Sequence, residues 1–329
     1  MSALIEVDAL SKTFKDIKAV TNLSFTVNKG DVYGFLGQNG AGKSTTIRML
    51  LTLIRPTTGT IHIFGKELVA HRRQILQKIG AVIERPDLYK YLTAYENLAL
   101  FAKMSGTTPD RNKLLAQLEV VGIRDRANSK VKTFSQGMKQ RLGIAVALVH
   151  DPELIILDEP TNGLDPQGIA DVRNLILHLS RNLGKTILVS SHLLNEIEMV
   201  ASRMVIIDKG SRKAEGSVTE LFDPAKTLVE LETSGTAGFG SSTNHGQTLY
   251  PTDSPGLMSI LKAGPFGLNL REQNGNKVKF ELDKSRIPEL ARYLVSININ
   301  IVSLQTKHSL EDYFLSLTTA NQHVDAFTN

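Results

Sequence analysis

The chain contains no cysteine among its 329 residues. Disulfide bonds, thiolate zinc sites and cysteine nucleophiles are therefore excluded, and any bound metal must be held by oxygen or histidine. Mg²⁺, which prefers oxygen ligands, is the natural candidate.

Long apolar runs are also missing. No window approaches the roughly 18 to 20 uninterrupted apolar residues of a membrane helix, and the N-terminus runs directly into charged, strand-like sequence instead of a signal peptide. The net charge of +5 is spread without blocks of Lys and Arg, so no nucleic-acid partner is expected. We therefore expect a soluble, cytoplasmic protein.

Apolar runs typical of strands alternate with helical patterns over residues 1–222, which predicts a parallel sheet covered on both faces. A helical subdomain over about 85–150 interrupts this α/β core, and a capping box of Thr93 and Glu96 marks the start of one of its helices. The predicted strands cover 4–8, 23–28, 31–36, 61–64, 80–84, 154–158, 187–191 and 204–208, and the principal helices cover 43–53 and 165–184.

The composition changes after residue 222, which places a second, small α+β domain at 223–329. Residues 233–255 are rich in Gly, Ser, Thr and Pro and predict a long loop. Around this loop the patterns follow the order βαββαβ, the ferredoxin-like arrangement, with a last short helix at 309–317. A packing or dimer-stabilising role is the first expectation for this domain, and a regulatory role stays open.

A glycine-rich segment, GQNGAGKST, stands between an apolar strand and a helical run. Its glycines let backbone N–H groups close on phosphates, Lys43 reaches the outer phosphates and Ser44 binds Mg²⁺. A glycine turn with a capping lysine is the simpler alternative, but the flanking strand and helix favour a phosphate site. The predicted site comprises Gly37, Gln38, Asn39, Gly40, Ala41, Gly42, Lys43, Ser44 and Thr45.

A second segment, LIILDE at 154–159, places two adjacent carboxylates at the end of a buried strand. Ligands of α/β sheets bind at this edge. Asp158 is predicted to hold the shell of Mg²⁺, and Glu159 to orient and polarise the attacking water.

The motif FSQGMKQ at 134–140 precedes LIILDEP, and in this order the chain resembles the ABC ATPase family over about residues 3–222. The resemblance implies a P-loop NTPase core with antiparallel β and helical subdomains that hydrolyses ATP. It implies that Ser135, Gln136 and Gly137 face the γ-phosphate bound by a partner subunit. It also implies that Asp165 lies in the D-loop at the dimer interface, and that His192 contacts the γ-phosphate.

Three positions refine this resemblance. Phe14 occupies the place of the adenine-stacking aromatic, although a core role is the alternative for such a residue. Glu84 stands where the family usually has a glutamine, and as a carboxylate it is predicted to ligate Mg²⁺. Through Glu84, and through Gln136 and Met138 in the signature, the chain resembles a bacterial exporter branch associated with peptide-antibiotic resistance and lantibiotic immunity.

The resemblance implies a homodimer that holds two ATP molecules and works with separate membrane permease subunits. The protein would then be associated with the inner face of the plasma membrane. Docking is expected on the helical segment after Glu84, where aromatic residues concentrate, as suits a contact surface. The expected docking residues are Arg85, Pro86, Tyr89, Tyr91 and Tyr95.

Two alternatives stay open at this point. One is the ATPase subunit of an importer, although the Glu84 variation and the FSQGMKQR signature look more like exporters. The other is a soluble ABC ATPase that acts on DNA ends, chromosomes or ribosomes. The chain has a single ATPase cassette and no sustained heptads between Lys43 and Ser135, which argues against this second alternative. The substrate cannot be read from this chain, because another polypeptide would bind it.

Overall fold

The computed structural model describes residues 2–221, 226–233, 257–274 and 276–307. These residues fall into two compact units, of which the first ends at Leu221. No helix within the described ranges is long and apolar enough to cross a membrane.

Within the described residues, the first unit contains two sheets and eight α-helices. Its strands are β1 (Ala3–Phe14), β2 (Ile17–Asn28), β3 (Val32–Leu36), β4 (Thr58–Ile63), β5 (Lys66–Glu67), β6 (Ile79–Val82), β7 (Leu154–Asp158), β8 (Thr186–Ser191), β9 (Arg203–Asp208) and β10 (Ser211–Ser217). Its helices are α1 (Lys43–Leu50), α2 (Arg72–Leu76), α3 (Ala94–Met104), α4 (Arg111–Val120), α5 (Gln136–Leu148), α6 (Pro166–Arg181), α7 (Leu194–Glu198) and α8 (Val218–Leu221).

The larger sheet has six strands in the order β10-β9-β3-β8-β7-β6. All neighbouring pairs are parallel except β10 with β9. Every residue of β3, β7 and β8 is buried, as their continuous apolar sequences require of a sheet covered on both faces. The predicted parallel core is confirmed, and the carboxyl ends of β3, β7 and β8 meet at one edge.

The smaller sheet is antiparallel and has the order β2-β1-β4-β5. Its first two strands are 12 residues each, longer than the predicted 4–8 and 23–28. They are longer because they pair along their whole length as a hairpin, with register shifts that the apolar alternation does not reveal. Helix α1 ends before the predicted residue 53, because Thr52 adopts a left-handed backbone with φ of 57°.

The helical region between β6 and β7 begins with the predicted capping box. Thr93 Oγ1 accepts from the backbone N–H of Glu96, whose carboxylate accepts from the N–H of Thr93. Asn97, on the same helix, is fully buried and bonds the carbonyls of Tyr89 and Thr93. The helix and the loop before it are therefore held together by side-chain bonds.

The second unit follows the predicted order βαββαβ. It consists of β11 (Lys226–Thr233), α9 (Leu257–Ala263), β12 (Leu270–Asn274), β13 (Lys277–Asp283), α10 (Ile287–Ser296) and β14 (Ile301–Lys307). The sheet order is β12-β13-β11-β14, with all neighbours antiparallel. Its core includes Val229, Leu231, Phe280, Leu290 and Leu294. Of the predicted loop at 233–255, only residue 233 is among the described residues. The predicted helix at 309–317 also lies outside the described residues.

Candidate functional site

The glycine-rich loop runs from the end of β3 to the start of α1, and its shape depends on three glycines. Gly40 and Gly42 have φ of 82° and 102°, which side chains rarely permit. A Cβ on Gly42 would lie 2.7 Å from the carbonyl oxygen of Ala19, and one on Gly37 would lie 2.6 Å from that of Ile207. The loop is thus packed against β2 and β9 at distances that only glycine permits.

Lys43 is buried within this loop. Its Nζ donates hydrogen bonds to the carbonyl oxygens of Gly37 at 2.7 Å and Gln38 at 3.2 Å. It also lies 3.0 Å from Oε1 of Glu159. The ammonium group is therefore held where the loop closes, beside the predicted catalytic carboxylate.

The two carboxylates at the end of β7 are placed by β8. Ser190 Oγ donates to Asp158 Oδ1 at 2.6 Å and accepts from the N–H of Glu159 at 2.9 Å. Within the described part of the chain, the buried Oδ2 of Asp158 has no hydrogen-bond partner. A buried carboxylate oxygen that has no hydrogen bond is suited to bind a cation, so the position of Asp158 fits a ligand of Mg²⁺.

Glu159 joins three of the predicted motifs. Its Oε1 lies beside Lys43, and its Oε2 lies 2.8 Å from Nδ1 of His192. An ionised carboxylate only accepts, so this contact requires a hydrogen on Nδ1. The backbone of Glu159 is left-handed, with φ of 50°, a strained state typical of functional sites.

The predicted signature residues lie at the N-terminus of α5. Ser135 is the N-cap and its side chain accepts from the N–H of Met138 at 3.2 Å. Ser135 and Gln136 are exposed, Gly137 is half-buried, and the first turn carries no acidic residue. Helix N-termini of this kind attract anions.

Asp165 has a structural task in this chain. It is the N-cap of α6, and its carboxylate accepts from the N–H of Gly168 at 2.9 Å. Gly163, two residues earlier, has φ of 75° and shapes the turn that precedes this cap. The position of Asp165 at a dimer interface stays a prediction.

Phe14 is not a core residue. Its side chain is 44% exposed, and Lys12 Nζ lies 4.8 Å from the centre of its ring. The core alternative is therefore wrong for this position, and stacking on a base stays a prediction.

Glu84, one of the three predicted metal ligands, is exposed and paired with a basic side chain. Its carboxylate forms an exposed ion pair with Arg48 at 2.7 Å. Across the described residues, no group of three or more acidic or histidine side chains forms a metal cluster. Ser44 is half-buried at the start of α1. Metal ligation by Ser44 and Glu84 stays a prediction.

The expected docking residues share one segment but differ in exposure. Tyr89 and Tyr91 are 51% and 80% exposed, and Arg85 is exposed as well. Tyr95 is half-buried, with the Arg111 guanidinium 5.3 Å from its ring centre. Pro86 packs so closely on α5 that a Cβ on Gly143 would lie 2.4 Å from it. The expected docking segment thus contacts the helix that begins at the predicted signature.

Sequence patterns missed three residues that support this site: Ser190, Asn97 and Gly210. Ser190 bonds both carboxylate-bearing residues, and its position two residues before His192 in ILVSSH was the available signal. Gly210 donates its N–H to the carbonyl of Ala41 and accepts from the N–H of Thr21. No local pattern marks Gly210, since its partners are distant in sequence.

The family model "ABC transporter" matches residues 20–162. An uncharacterised ABC transporter ATP-binding protein, YhcH of Bacillus subtilis, is 38% identical over 97% of each chain. The bacitracin transport ATP-binding protein BcrA of Bacillus licheniformis is 50% identical over 71% of this chain and 76% of its own length. The lantibiotic transport ATP-binding protein SrtF of Streptococcus pyogenes is 40% identical over 69% of this chain and 95% of its own length.

Solved structures are similar as well. The dimeric ATP-binding cassette MJ0796, in a post-hydrolysis state bound to ADP and Pi, is 27% identical with a TM-score of 0.59. The similarity covers 65% of this chain and 98% of the MJ0796 chain.

Proposed function

Since this chain belongs to the ABC transporter family as an ATP-binding subunit that hydrolyses ATP, we propose that it powers the export of a peptide antibiotic. Two relatives are named for bacitracin and lantibiotic transport, and their similarity covers 71% and 69% of this chain. The substrate would pass through separate membrane permease subunits.

The observation that carries the proposed mechanism is the position of Glu159 between Lys43 and His192. One carboxylate contacts both a phosphate-binding lysine and the histidine predicted to face the γ-phosphate. When ATP takes the contacts of Lys43, Glu159 loses its ion-pair partner and is available to orient water, while His192 keeps the carboxylate in place.

Asp158 and Ser44 would hold Mg²⁺ in this mechanism. The bound ion neutralises charge on the phosphates. Asp158 is suited to this because Ser190 occupies Oδ1 and leaves the buried Oδ2 without a hydrogen bond in the described structure. Glu84 is proposed as a further ligand that would first have to leave Arg48.

The second part of each ATP site would come from another copy of the chain. The exposed N-terminus of α5 presents Ser135 and Gln136 without an acidic neighbour in its first turn. A head-to-tail homodimer of twofold symmetry would place this helix end on the γ-phosphate of the partner. Phe14 would stack on adenine, and Asp165 would lie at the interface.

The accessory domain at 223–329 is proposed to pack against or stabilise the dimer. The docking surface is proposed to be Arg85, Pro86, Tyr89, Tyr91 and Tyr95. Two of these tyrosines expose half or more of their side chains, which suits burial by a permease loop. Such docking would hold the protein at the inner face of the plasma membrane.

The test uses Glu159→Gln, which keeps the shape of the side chain and removes its charge. ATP binding should persist, turnover should fall about 10²-fold or more, and an ATP-bound dimer should accumulate. Tagged Glu159→Gln protein with ATP is then used to capture partners from detergent-solubilised host membranes. We expect a polytopic membrane protein in near-equal amount.

Glu153→Gln is the matched control, because Glu153 precedes the same strand and forms an exposed ion pair with Lys78. It should turn over ATP normally. Normal turnover of Glu159→Gln would make the catalytic assignment wrong, and capture of soluble or ribosomal partners alone would refute transport. Host cells carrying Glu159→Gln should become sensitive to peptide antibiotics; unchanged sensitivity with impaired uptake of a nutrient would favour an importer.

A further inference from the structure

A carboxylate outside the motifs connects the two segments that carry the catalytic pair. Glu196, in α7, accepts a hydrogen bond from Thr161 Oγ1 at 2.6 Å and another from Ser191 Oγ at 2.9 Å. Thr161 lies two residues after Glu159, and Ser191 immediately precedes His192. One side chain is therefore shared by the loops that follow β7 and β8.

The donors of these bonds are rigid parts of the site. Thr161 is 8% exposed and Ser191 is 1% exposed. Ser191 Oγ also accepts from the N–H of Leu193, and its carbonyl accepts from the N–H of Gly37, at the start of the phosphate-binding loop. The connection made by Glu196 thus extends to all three loops at this edge of the sheet.

This connection helps to hold the backbone conformation of Glu159. A left-handed backbone at a non-glycine residue persists only where its surroundings over-determine it. The N–H of Glu159 is held by Ser190, its carbonyl accepts from the N–H of Asn162, and Thr161 lies between these residues. Anchoring Thr161 to Glu196 therefore restrains the turn between Glu159 and Asn162.

We propose that Glu196 is a positioning residue for ATP hydrolysis, which fixes the loops of Glu159 and His192 relative to each other. This inference rests on the proposed catalytic role of Glu159. Glu196 itself contacts hydroxyl groups of this chain and acts through their loops. Loss of its two bonds should lower the rate of the chemical step more than the affinity for ATP, because Lys43 and its loop stay intact.

The surroundings of Glu196 allow a clean substitution. Its side chain lines a cavity of about 170 Å³ together with Ile169, Ile197 and Val200. A leucine at this position would enter an apolar space of suitable size, so Glu196→Leu should fold. Glu196→Gln keeps an amide oxygen that can accept from both hydroxyl groups.

The experiment measures steady-state ATPase activity and thermal midpoint for both variants. Glu196→Leu should lower kcat about tenfold with KM for ATP unchanged within about twofold, and Glu196→Gln should restore kcat to within about twofold of the parent. Glu198→Leu, on the same helix, is the control and should behave as the parent. Parent-like kcat in Glu196→Leu, or equal impairment of Glu196→Gln, would refute the proposal.

Thr161→Val provides a second measurement that does not depend on the folding of Glu196→Leu. It removes one donor while preserving shape, and kcat should fall about threefold at constant KM. An unchanged kcat would contradict the inference. Glu159→Gln in the same assay separates the two proposals: if it stays active, the catalytic role fails, whereas if it alone is inactive, only the role of Glu196 fails.

Discussion

At the scale of single residues, the site is organised around opposite charges in a buried place. Lys43 and Glu159 expose only 5% and 14% of their side chains. Leaving one such charge without its partner is costly, so each stabilises the other. We expect nucleotide binding to exchange one anionic partner of Lys43 for another.

Replacing Lys43 with alanine tests this exchange. We expect Lys43→Ala to raise the dissociation constant for ATP about tenfold or more, because charge-assisted bonds to phosphate are lost. Titration calorimetry measures the change. Lys66→Ala is the matched control, since Lys66 is an exposed lysine bonded to Gln74. The affinity of this variant for ATP should equal that of the parent. Parent-like affinity in Lys43→Ala would contradict the proposed phosphate contact.

At the scale of elements, helix ends carry much of the proposed chemistry. Helix α1 starts within the phosphate-binding loop at Lys43, and α5 starts at the exposed Ser135. The partial positive charge of each N-terminus favours phosphate at that end. Helix α6 differs, because Asp165 already occupies its N-terminus with a carboxylate.

The substitution Ser135→Asp separates the stability of α5 from its proposed anion contact. Aspartate caps helices about as well as serine, so the free energy of unfolding should change by less than about 0.5 kcal/mol. Its negative charge should repel the γ-phosphate and abolish ATP-driven dimerisation, measured by sizing with Glu159→Gln as background.

The control for Ser135→Asp makes the reverse exchange at another helix. Asp110 caps α4 by accepting from the N–H of Lys113, so Asp110→Ser swaps the same two cap residues. Dimerisation should be unaffected by it. If Ser135→Asp still dimerises with ATP, the helix end does not face a phosphate.

At the scale of the whole molecule, the predicted signature and the proposed docking segment share α5. This helix begins at the signature and, at Gly143, receives Pro86 from the segment that follows Glu84. We therefore expect a change at the signature end to be transmitted through α5 to the proposed docking segment. Asn97 bonds that segment to α3.

The substitution Glu84→Gln tests coupling at this scale. Removing the charge ends repulsion with the γ-phosphate, so ATPase activity should persist while its rate or the transport per ATP changes. Stability should change by less than about 1 kcal/mol, because the ion pair with Arg48 is exposed. Assays with the permease in proteoliposomes measure both quantities.

The matched control for Glu84→Gln is Arg48→Ala, which removes the same ion pair and leaves the carboxylate. If both variants change the ATPase rate or the transport per ATP by the same amount, loss of the ion pair is responsible, and loss of the charge on Glu84 is not. Complete loss of activity in Glu84→Gln alone would mean that the acid has an additional role.

The sequence by itself determined the elements whose signals are local. Lys43 follows a glycine pattern, Asp158 and Glu159 end an apolar run, and Thr93 with Glu96 forms a capping box, because spacing along the chain sets all three. The order βαββαβ was readable for the same reason. The glycine-rich segment and LIILDE, with FSQGMKQ between them, allowed the family and its ATP chemistry to be identified without coordinates.

Only the tertiary structure decided which distant residues meet. Ser190 on Asp158, Gly210 on the phosphate-binding loop, Glu196 between two loops and Arg48 on Glu84 all join segments with no shared pattern. The exposure of Phe14 was likewise undecided, since an aromatic at a strand end suits either a core or a surface. Such contacts depend on the order of strands in the sheet, which places loops side by side regardless of their separation along the chain.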